Sequence, residues 1–210
     1  MSGGVKDSNT GTLTGSDTVP VTVNCAFDGG NIVLVNAEDC TSALGVQVKV
    51  RDDPYTEFER KTHKQWFYFR AAGRFRGRNA TFSIVNANEV SYPSAWPGSQ
   101  IVYSYDRKDW RRCETRWDAA SGHLSWTLAP AADVVWFAYF APYSEEQHND
   151  LIAFCAASPL AKVEEMGRSL DGRALDVVVA GEGPLKCWVI HRQHPGETQA
   201  EWFAEGLLER

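Results

Sequence analysis

Short segments of β-strand type fill the chain up to about residue 140, and this feature limits the possible fold more than any other. Alternating or β-rich runs occur at 19–27, 44–51, 65–70, 80–85, 100–105, 123–128 and 133–140. Gly, Pro, Asn and Asp separate these runs at short intervals. In the clearest run, Leu44, Val46 and Val48 share one face, because side chains alternate across a strand. The pattern predicts an antiparallel β-sandwich of about seven or eight strands.

The pattern changes after residue 143. A serine followed by acidic residues predicts a helix over 144–157. Two strands are predicted at 174–180 and 185–191, and a helix at 197–210. On that last helix, Ala200, Phe203, Ala204 and Leu207 form one apolar stripe. Strand, loop and helix in this order begin an α/β unit.

The predicted fold class is therefore α+β, with an antiparallel β-sandwich domain first and the opening strands and helix of an α/β domain second. Residues 1–20 are rich in Gly, Ser, Thr and Asp, which predicts a flexible leader without the apolar core of a secretory signal. The sandwich is expected over 21–160 and the α/β domain over 161–210. About 50 residues are too few to enclose an α/β core, so this second domain is expected to be truncated.

Composition excludes some classes of partner. The net charge of −6 provides no basic surface, so nucleic acid is not an expected partner. No apolar run reaches about 18 residues, so no membrane association through a spanning helix is expected. The five cysteines are widely spaced and form no CxxC motif, which predicts reduced thiols in a cytoplasmic protein.

Candidate metal ligands occur in the loop before the last helix, where His194 and Glu197 are three residues apart. A neutral imidazole and a carboxylate are both good zinc ligands. Pro195 and Gly196 favour a tight turn that would bring the two side chains together. Arg192 is expected to support this loop through hydrogen bonds to carbonyls or to a carboxylate.

The spacing also fits a second interpretation, in which Glu197 caps the helix and His194 is merely solvated on a surface loop. His191 is a possible third ligand by residue type. In an extended segment, however, its odd separation from His194 would direct the two side chains to opposite faces. His191 is therefore expected to be packed or hydrogen-bonded.

The sequence His194-Pro-Gly-Glu-Thr198, after an apolar segment and before a helix that contains Trp202, resembles the first zinc motif of the zinc carboxypeptidases. More narrowly, it is similar to the cytosolic carboxypeptidase subfamily, which includes tubulin deglutamylases and bacterial relatives. The segments 27–32, 65–70, 92–98, 135–144 and 169–175 also look like the amino-terminal part of that subfamily. The resemblance covers residues 21–210.

This resemblance implies a zinc-dependent metallocarboxypeptidase, a hydrolase that removes carboxyl-terminal residues from peptides or proteins. It implies that Zn²⁺ is held by His194, Glu197 and a second histidine far downstream. The general base and the substrate-binding arginines would also lie downstream, so no catalytic residue is expected within this chain. The expected partners are a peptide or protein carboxyl terminus and the missing carboxyl-terminal catalytic portion, and the 210-residue chain is expected to be inactive alone. Glutamate is a candidate for the residue removed, by analogy with the family only.

Two other functions remain open for the sandwich. It could be a binding module that positions a partner or substrate, or it could have a purely architectural role beside the catalytic domain. Of the eight tryptophans, Trp66, Trp126, Trp136 and Trp188 lie in predicted strands and are expected in the core. Trp96 and Trp110 lie nearer turns and are the candidates for a binding surface.

Overall fold

The computed structural model describes residues 11–12, 21–40, 43–56 and 62–209. The chain divides into two compact units, Met1–Pro142 and Tyr143–Arg210. Most of the predicted leader, residues 1–20, lies outside the described residues. No helix in the described part of the chain is both long and apolar enough to cross a membrane.

The first unit consists of two β-sheets. Its strands are β1 (Gly11–Thr12), β2 (Thr22–Asn24), β3 (Val33–Cys40), β4 (Ala43–Lys49), β5 (Tyr68–Ala72), β6 (Ala80–Ile84), β7 (Gln100–Ser104), β8 (Arg111–Glu114), β9 (Arg116–Asp118), β10 (His123–Leu128) and β11 (Val134–Ala138). One sheet has the order β1-β2-β5-β11-β7-β8 and the other β3-β4-β6-β10-β9. The pairings are antiparallel except that β4 and β6 run parallel. Two short 3-10 helices, Ala87–Glu89 and Pro93–Ala95, lie between β6 and β7.

Aromatic side chains from both sheets meet in the core of this unit. Phe82 on β6 and Phe137 on β11 have ring centroids 4.4 Å apart, and both rings are fully buried. Trp126 on β10 lies 5.4 Å from Phe137 and 6.0 Å from Phe82. Because β6 and β10 belong to one sheet and β11 to the other, the two sheets pack face to face. The predicted β-sandwich is confirmed.

A buried asparagine joins two segments of the sandwich. Asn86, which is 3% exposed, follows β6, and Val50 follows β4. The Val50 N–H donates to Asn86 Oδ1 at 3.0 Å, and Asn86 Nδ2 donates to the Val50 carbonyl at 3.0 Å. One side chain therefore satisfies both polar groups of a buried peptide position.

The second unit contains two helices and one β-hairpin. Its elements are α1 (Glu145–Ala157), β12 (Ala161–Arg168), β13 (Ala174–Ala180) and α2 (Thr198–Leu208). The predicted helix over 144–157 forms as α1, and Ser144 and Gln147 close its amino-terminal end with a capping box. β12 was not predicted, because its polar residues show no strand pattern. It pairs antiparallel with β13.

The strand predicted over 185–191 is wrong. This segment has no regular secondary structure, and its large side chains are exposed: Leu185 by 90%, Trp188 by 80% and Ile190 by 74%. An apolar sequence favours burial, but a strand also needs a neighbour for its backbone hydrogen bonds. In the described part of this unit, β12 and β13 pair only with each other.

Of the predicted apolar stripe, helix α2 buries only Ala204. Its buried residues are Thr198, Glu201 and Ala204. Phe203 and Leu207 remain 58% and 49% exposed. The helix therefore directs a carboxylate inward and leaves much of its apolar stripe uncovered.

Two of the tryptophan predictions are also wrong. Trp66 and Trp126 are buried as expected, but Trp188 is 80% exposed because its segment forms no strand. Trp96, expected at the surface, is 3% exposed, and its indole N–H donates to the Ala87 carbonyl at 2.8 Å. A residue close to a turn can still be buried, because the turn itself can pack against the core.

Four of the cysteines lie where their thiols can be described, and all four are free. Cys25, Cys113 and Cys155 are buried, and Cys187 is exposed. Burial raises the pKa of the Cys113 and Cys155 thiols. These two side chains therefore favour the neutral thiol form.

Replacement of the bridging asparagine tests the sandwich packing. We expect Asn86→Ala to lower the free energy of unfolding by about 3 kcal/mol, because the buried N–H and carbonyl of Val50 lose the side chain that pairs with both. Urea denaturation followed by tryptophan fluorescence measures this change. Asn79→Ala, at an exposed position, is the matched control and should change the free energy by less than about 0.5 kcal/mol. Equal stability of the two variants would contradict the bridging role.

Candidate metal-binding site

A tight turn before α2 brings the two predicted ligands together. The Glu197 N–H donates to the His194 carbonyl at 3.1 Å, which closes the turn over Pro195 and Gly196. The Ala200 N–H then donates to the Glu197 carbonyl at 3.0 Å and begins the helix. Glu197 is thus the N-cap residue of α2, one position before the first helical turn. Proline restricts the backbone of such a turn and lowers the entropy lost when it forms.

The Glu197 carboxylate contacts His194 twice. The His194 backbone N–H donates to Oε2 at 3.0 Å, and His194 Nδ1 lies 2.7 Å from Oε1. The side chain makes no capping hydrogen bond to α2. Glu197 therefore occupies the cap position, while its carboxylate is directed at the histidine instead of the helix.

Hydrogen bonding shifts the acidity of this carboxylate. The His194 side chain, and after it the His194 backbone N–H, hold the pKa of Glu197 below its usual range. Both contacts favour the ionised form, which is also the form that coordinates a metal. The His194 and Glu197 side chains are 58% and 42% exposed, so an ion can reach them from solvent.

The donor types and exposure of the pair fit a zinc ion, with one adjustment. In a tetrahedral site, Zn–N and Zn–O bonds of about 2.1 Å separate the two donor atoms by about 3.4 Å. Nδ1 and Oε1 are 2.7 Å apart, so binding through these atoms would open their hydrogen bond by about 0.7 Å. Within the described ranges, no group of three or more His, Cys, Asp or Glu side chains could hold a metal. A metal ion held by this pair would therefore need further ligands.

Arg192 has a left-handed backbone, with φ of +45°. This conformation costs a non-glycine residue about 1–3 kcal/mol. Its side chain is anchored: Nη1 donates to the Tyr143 carbonyl at 3.1 Å and lies 3.8 Å from Glu201 Oε1. The left-handed residue also breaks the extended geometry from which opposite directions for His191 and His194 were predicted.

His191 faces Glu201. Its Nδ1 is buried and lies 3.7 Å from Glu201 Oε2. Glu201, at 9% exposure, is the functional candidate that sequence reasoning missed, because an acidic residue in the first turn of a helix is normally solvated there. The sequence did contain a signal for the burial of Glu201. Thr198, Glu201 and Ala204 recur every three residues, so they share one face of the helix.

An open cleft lies beside Glu197 in this unit. Its walls are apolar at Val189, Ile190, Ala200 and Phe203, and polar at His191, Arg192, Gln193, Glu197 and Gln199. His191 and Glu197 thus border the same space.

Named carboxypeptidases are among the relatives of this chain. A sequence model of the cytosolic carboxypeptidase N-terminal domain matches residues 23–140. An uncharacterized protein of Zymomonas mobilis is 41% identical over 188 residues, which cover 90% of this chain and 46% of that protein. Cytosolic carboxypeptidase 2 of Macaca fascicularis is 25% identical over 228 residues, which cover 94% of this chain and 26% of that protein.

Solved structures of similar fold include proteins named metallo-carboxypeptidases. One from Pseudomonas aeruginosa, in complex with (2-guanidinoethylmercapto)succinic acid, has a TM-score of 0.78 and 37% identity over 89% of this chain and 48% of that one. One from Burkholderia cenocepacia has a TM-score of 0.77 and 37% identity over 90% of this chain and 48% of that one. The present chain thus spans less than half the length of these relatives.

The contact between the two candidate ligands can be tested in the metal-free protein. We expect His194→Ala to raise the pKa of Glu197 toward its ordinary value, because the largest cause of its lowering is removed. Because the folded-state pKa is lowered, the contact stabilises the loop above the pKa of an unfolded glutamate. That stabilisation is lost as pH falls through the folded-state value. Carboxylate NMR shifts followed through a pH titration measure the change.

Gln199→Ala is the control for this titration, since Gln199 is exposed and close in sequence but is not a cause of the shift. Its Glu197 should titrate as in the unchanged protein. If Glu197 gave the same titration curve in the His194→Ala variant as in the unchanged protein, its lowered pKa would not depend on the histidine.

Proposed function

The chain belongs to the cytosolic carboxypeptidase family, and from this premise we propose that it forms the amino-terminal part of a zinc-dependent metallocarboxypeptidase. Such an enzyme hydrolyses the carboxyl-terminal residue of a peptide or protein. The observation that carries the proposal is the exposed His194–Glu197 pair, held in contact at the start of α2. Two solved structures similar to this chain are named metallo-carboxypeptidases, which supports the proposal.

Each residue of the loop has a proposed role. His194 and Glu197 hold the zinc ion, and Pro195 and Gly196 form the turn that keeps them adjacent. Arg192 supports the loop through its bond to the Tyr143 carbonyl. Zinc, when bound, supplies a Lewis acid that polarises a carbonyl and lowers the pKa of a coordinated water. The chain's own contribution is to present an ionised carboxylate and an imidazole together on an ordered loop.

The third zinc ligand and the general base are proposed to come from a carboxyl-terminal catalytic portion. Two uncovered apolar surfaces of the second unit support this. One is the segment 185–190, with Trp188 and Ile190 largely exposed, and the other is the α2 stripe, with Phe203 and Leu207 about half exposed. Large exposed apolar areas mark surfaces that another protein segment covers. The greater length of the relatives is consistent with such a segment.

A binding role for the sandwich is less well supported. Of the two tryptophans that suggested it, Trp96 is buried. Trp110 is partly buried and packs edge-on against Tyr68, with ring centroids 5.8 Å apart. Neither ring is a free platform, so we assign the sandwich an architectural role. We also propose a cytoplasmic location, in keeping with free thiols and with the names of the cytosolic relatives.

Reconstitution tests the proposed function. The 210-residue chain alone should not hydrolyse peptides. A chimera that joins it to the carboxyl-terminal half of the 41%-identical Zymomonas mobilis protein should release carboxyl-terminal amino acids in the presence of zinc. In that chimera, His194→Ala or Glu197→Ala should reduce the rate by more than about a hundredfold, because each removes a metal ligand.

Asn79→Ala, at an exposed position of the first unit, is the control and should retain the rate of the chimera. Amino-acid release is measured by mass spectrometry of peptides with different carboxyl-terminal residues, which also determines specificity. Full activity of the chimera after His194→Ala would refute the proposed metal site. Hydrolysis by the unfused chain, abolished by the same substitution, would refute the need for a second portion.

A further inference from the structure

We propose that Glu201 is a positioning residue whose buried carboxylate, between His191 and Arg192, fixes the loop that presents His194 to Glu197. We call the side chains of His191, Arg192 and Glu201, together with the Tyr143 carbonyl, the Glu201 clamp. The effect of this clamp on zinc rests on the proposed function. Its effect on the metal-free loop does not.

The burial of Glu201 requires an explanation. A carboxylate removed from water is unfavourable unless it is paired or hydrogen-bonded. Glu201 is 9% exposed, although the apolar Phe203 and Leu207 of the same helix are about half exposed. An apolar side chain would fill this position without the cost of desolvating a charge. The negative charge is therefore best explained by the groups that it faces.

Those groups come from the loop and carry the matching chemistry. Glu201 Oε1 lies 3.8 Å from Arg192 Nη1, and Oε2 lies 3.7 Å from His191 Nδ1. In the described structure, His191 Nδ1 and Glu201 Oε2 are both buried and neither has a hydrogen-bond partner. A movement of about 0.8 Å would bring them to ordinary hydrogen-bond distance. The His191 ring and the Glu201 carboxylate therefore face each other just beyond hydrogen-bond distance, and a small side-chain movement would join them.

The backbone of the loop is strained at Arg192. Arg192 holds a left-handed φ of +45°, which arginine rarely adopts. Such a conformation persists only where the surroundings hold it. The guanidinium is held by the Tyr143 carbonyl at 3.1 Å and by the Glu201 charge. Arg192 stands two residues before His194, so relaxation of its backbone would redirect the chain that leads to the metal ligand.

Glu201 thus acts on His194 through Arg192 and His191, and does not itself touch the ligand pair in the described structure. Supporting groups of this kind typically change metal affinity by about 10–100-fold when removed. An ion pair that served only to fasten α2 would affect stability but would leave the His194–Glu197 contact unchanged. The two roles therefore differ in what they predict at the loop.

The test uses the 210-residue chain with Glu201→Gln, which keeps the size of the side chain and removes its charge. Glu209→Gln, at the exposed end of α2, is the matched control. The first readout is hydrogen exchange of the His194 amide in the metal-free protein, since this N–H donates to Glu197 Oε2. We expect Glu201→Gln to speed this exchange at least about threefold, and Glu209→Gln to leave it unchanged.

The second readout is metal binding. Calorimetry with Zn²⁺ should show affinity about tenfold weaker for Glu201→Gln than for the unchanged chain. Co²⁺ in place of zinc should give an altered visible spectrum at saturation, which a change in stability alone would not produce. Arg192→Gln should have the same effects, and the double variant should be no worse than either single variant, because both remove the same clamp.

The outcomes separate the clamp from the proposed function. If zinc binds and neither exchange nor affinity changes in Glu201→Gln, the clamp is refuted and the metal site stands. If the unchanged chain binds no zinc but exchange increases in Glu201→Gln and Arg192→Gln, the clamp stands, and zinc binding then requires the further ligand proposed for the carboxyl-terminal portion. If Glu201→Gln fails to fold by circular dichroism, Arg192→Gln decides, and unchanged exchange in that variant refutes the proposal.

Discussion

The contact between the two sheets is the interaction on which the first unit depends. Phe82, Phe137 and Trp126 bring both sheets within van der Waals reach, and each ring removes a large apolar area from water. The alternation of side chains on every core strand follows from this requirement, because one face must reach those rings. Asn86 then satisfies the backbone polar groups at Val50, which the same packing withdraws from solvent. The need to bury these rings thus explains the alternation of the strands. A polar side chain such as Asn86 is then needed where the packing removes a backbone group from water without pairing it.

The second unit reverses this arrangement at α2. Glu201 and Ala204 lie inside, while Phe203 and Leu207 are about half exposed, so burial of apolar area alone does not explain how the helix is oriented. Charge does explain it. Glu201 faces His191 and the permanently charged Arg192, and Arg192 in turn bonds to the Tyr143 carbonyl. The orientation that places Glu201 inward also leaves the turn at Pro195 exposed, which keeps both candidate ligands accessible to solvent.

The sequence predicted those features that depend on neighbours along the chain. The sandwich followed from alternation, and α1 followed from its serine cap and early acids. The turn that joins His194 to Glu197 involves only three peptide units, so residue type and spacing were sufficient to suggest it.

The predictions that failed concern features that depend on residues distant along the chain. The apolar segment 185–191 had a strand-like composition but finds no partner strand among the described residues of its unit. Trp96 was predicted at the surface because its own segment contains no sign that its indole N–H would donate to the Ala87 carbonyl. Glu201 was overlooked because its partners are nine or more residues away along the chain.

The local origin of the His194–Glu197 contact has a consequence for the proposed metal site. The His194–Glu197 contact forms from a turn and a cap position alone, so it needs neither a complete sheet nor a bound ion. Full coordination needs further ligands, and the described residues provide no cluster of three. A pair that is already in contact loses less conformational entropy on binding an ion than two free side chains would. The hydrogen bond between Nδ1 and Oε1 would have to open if the His194 and Glu197 side chains held a metal ion through these atoms. The same hydrogen bond would therefore both hold the two side chains together before binding and compete with the ion, while Arg192, two residues before His194, is held by the Tyr143 carbonyl.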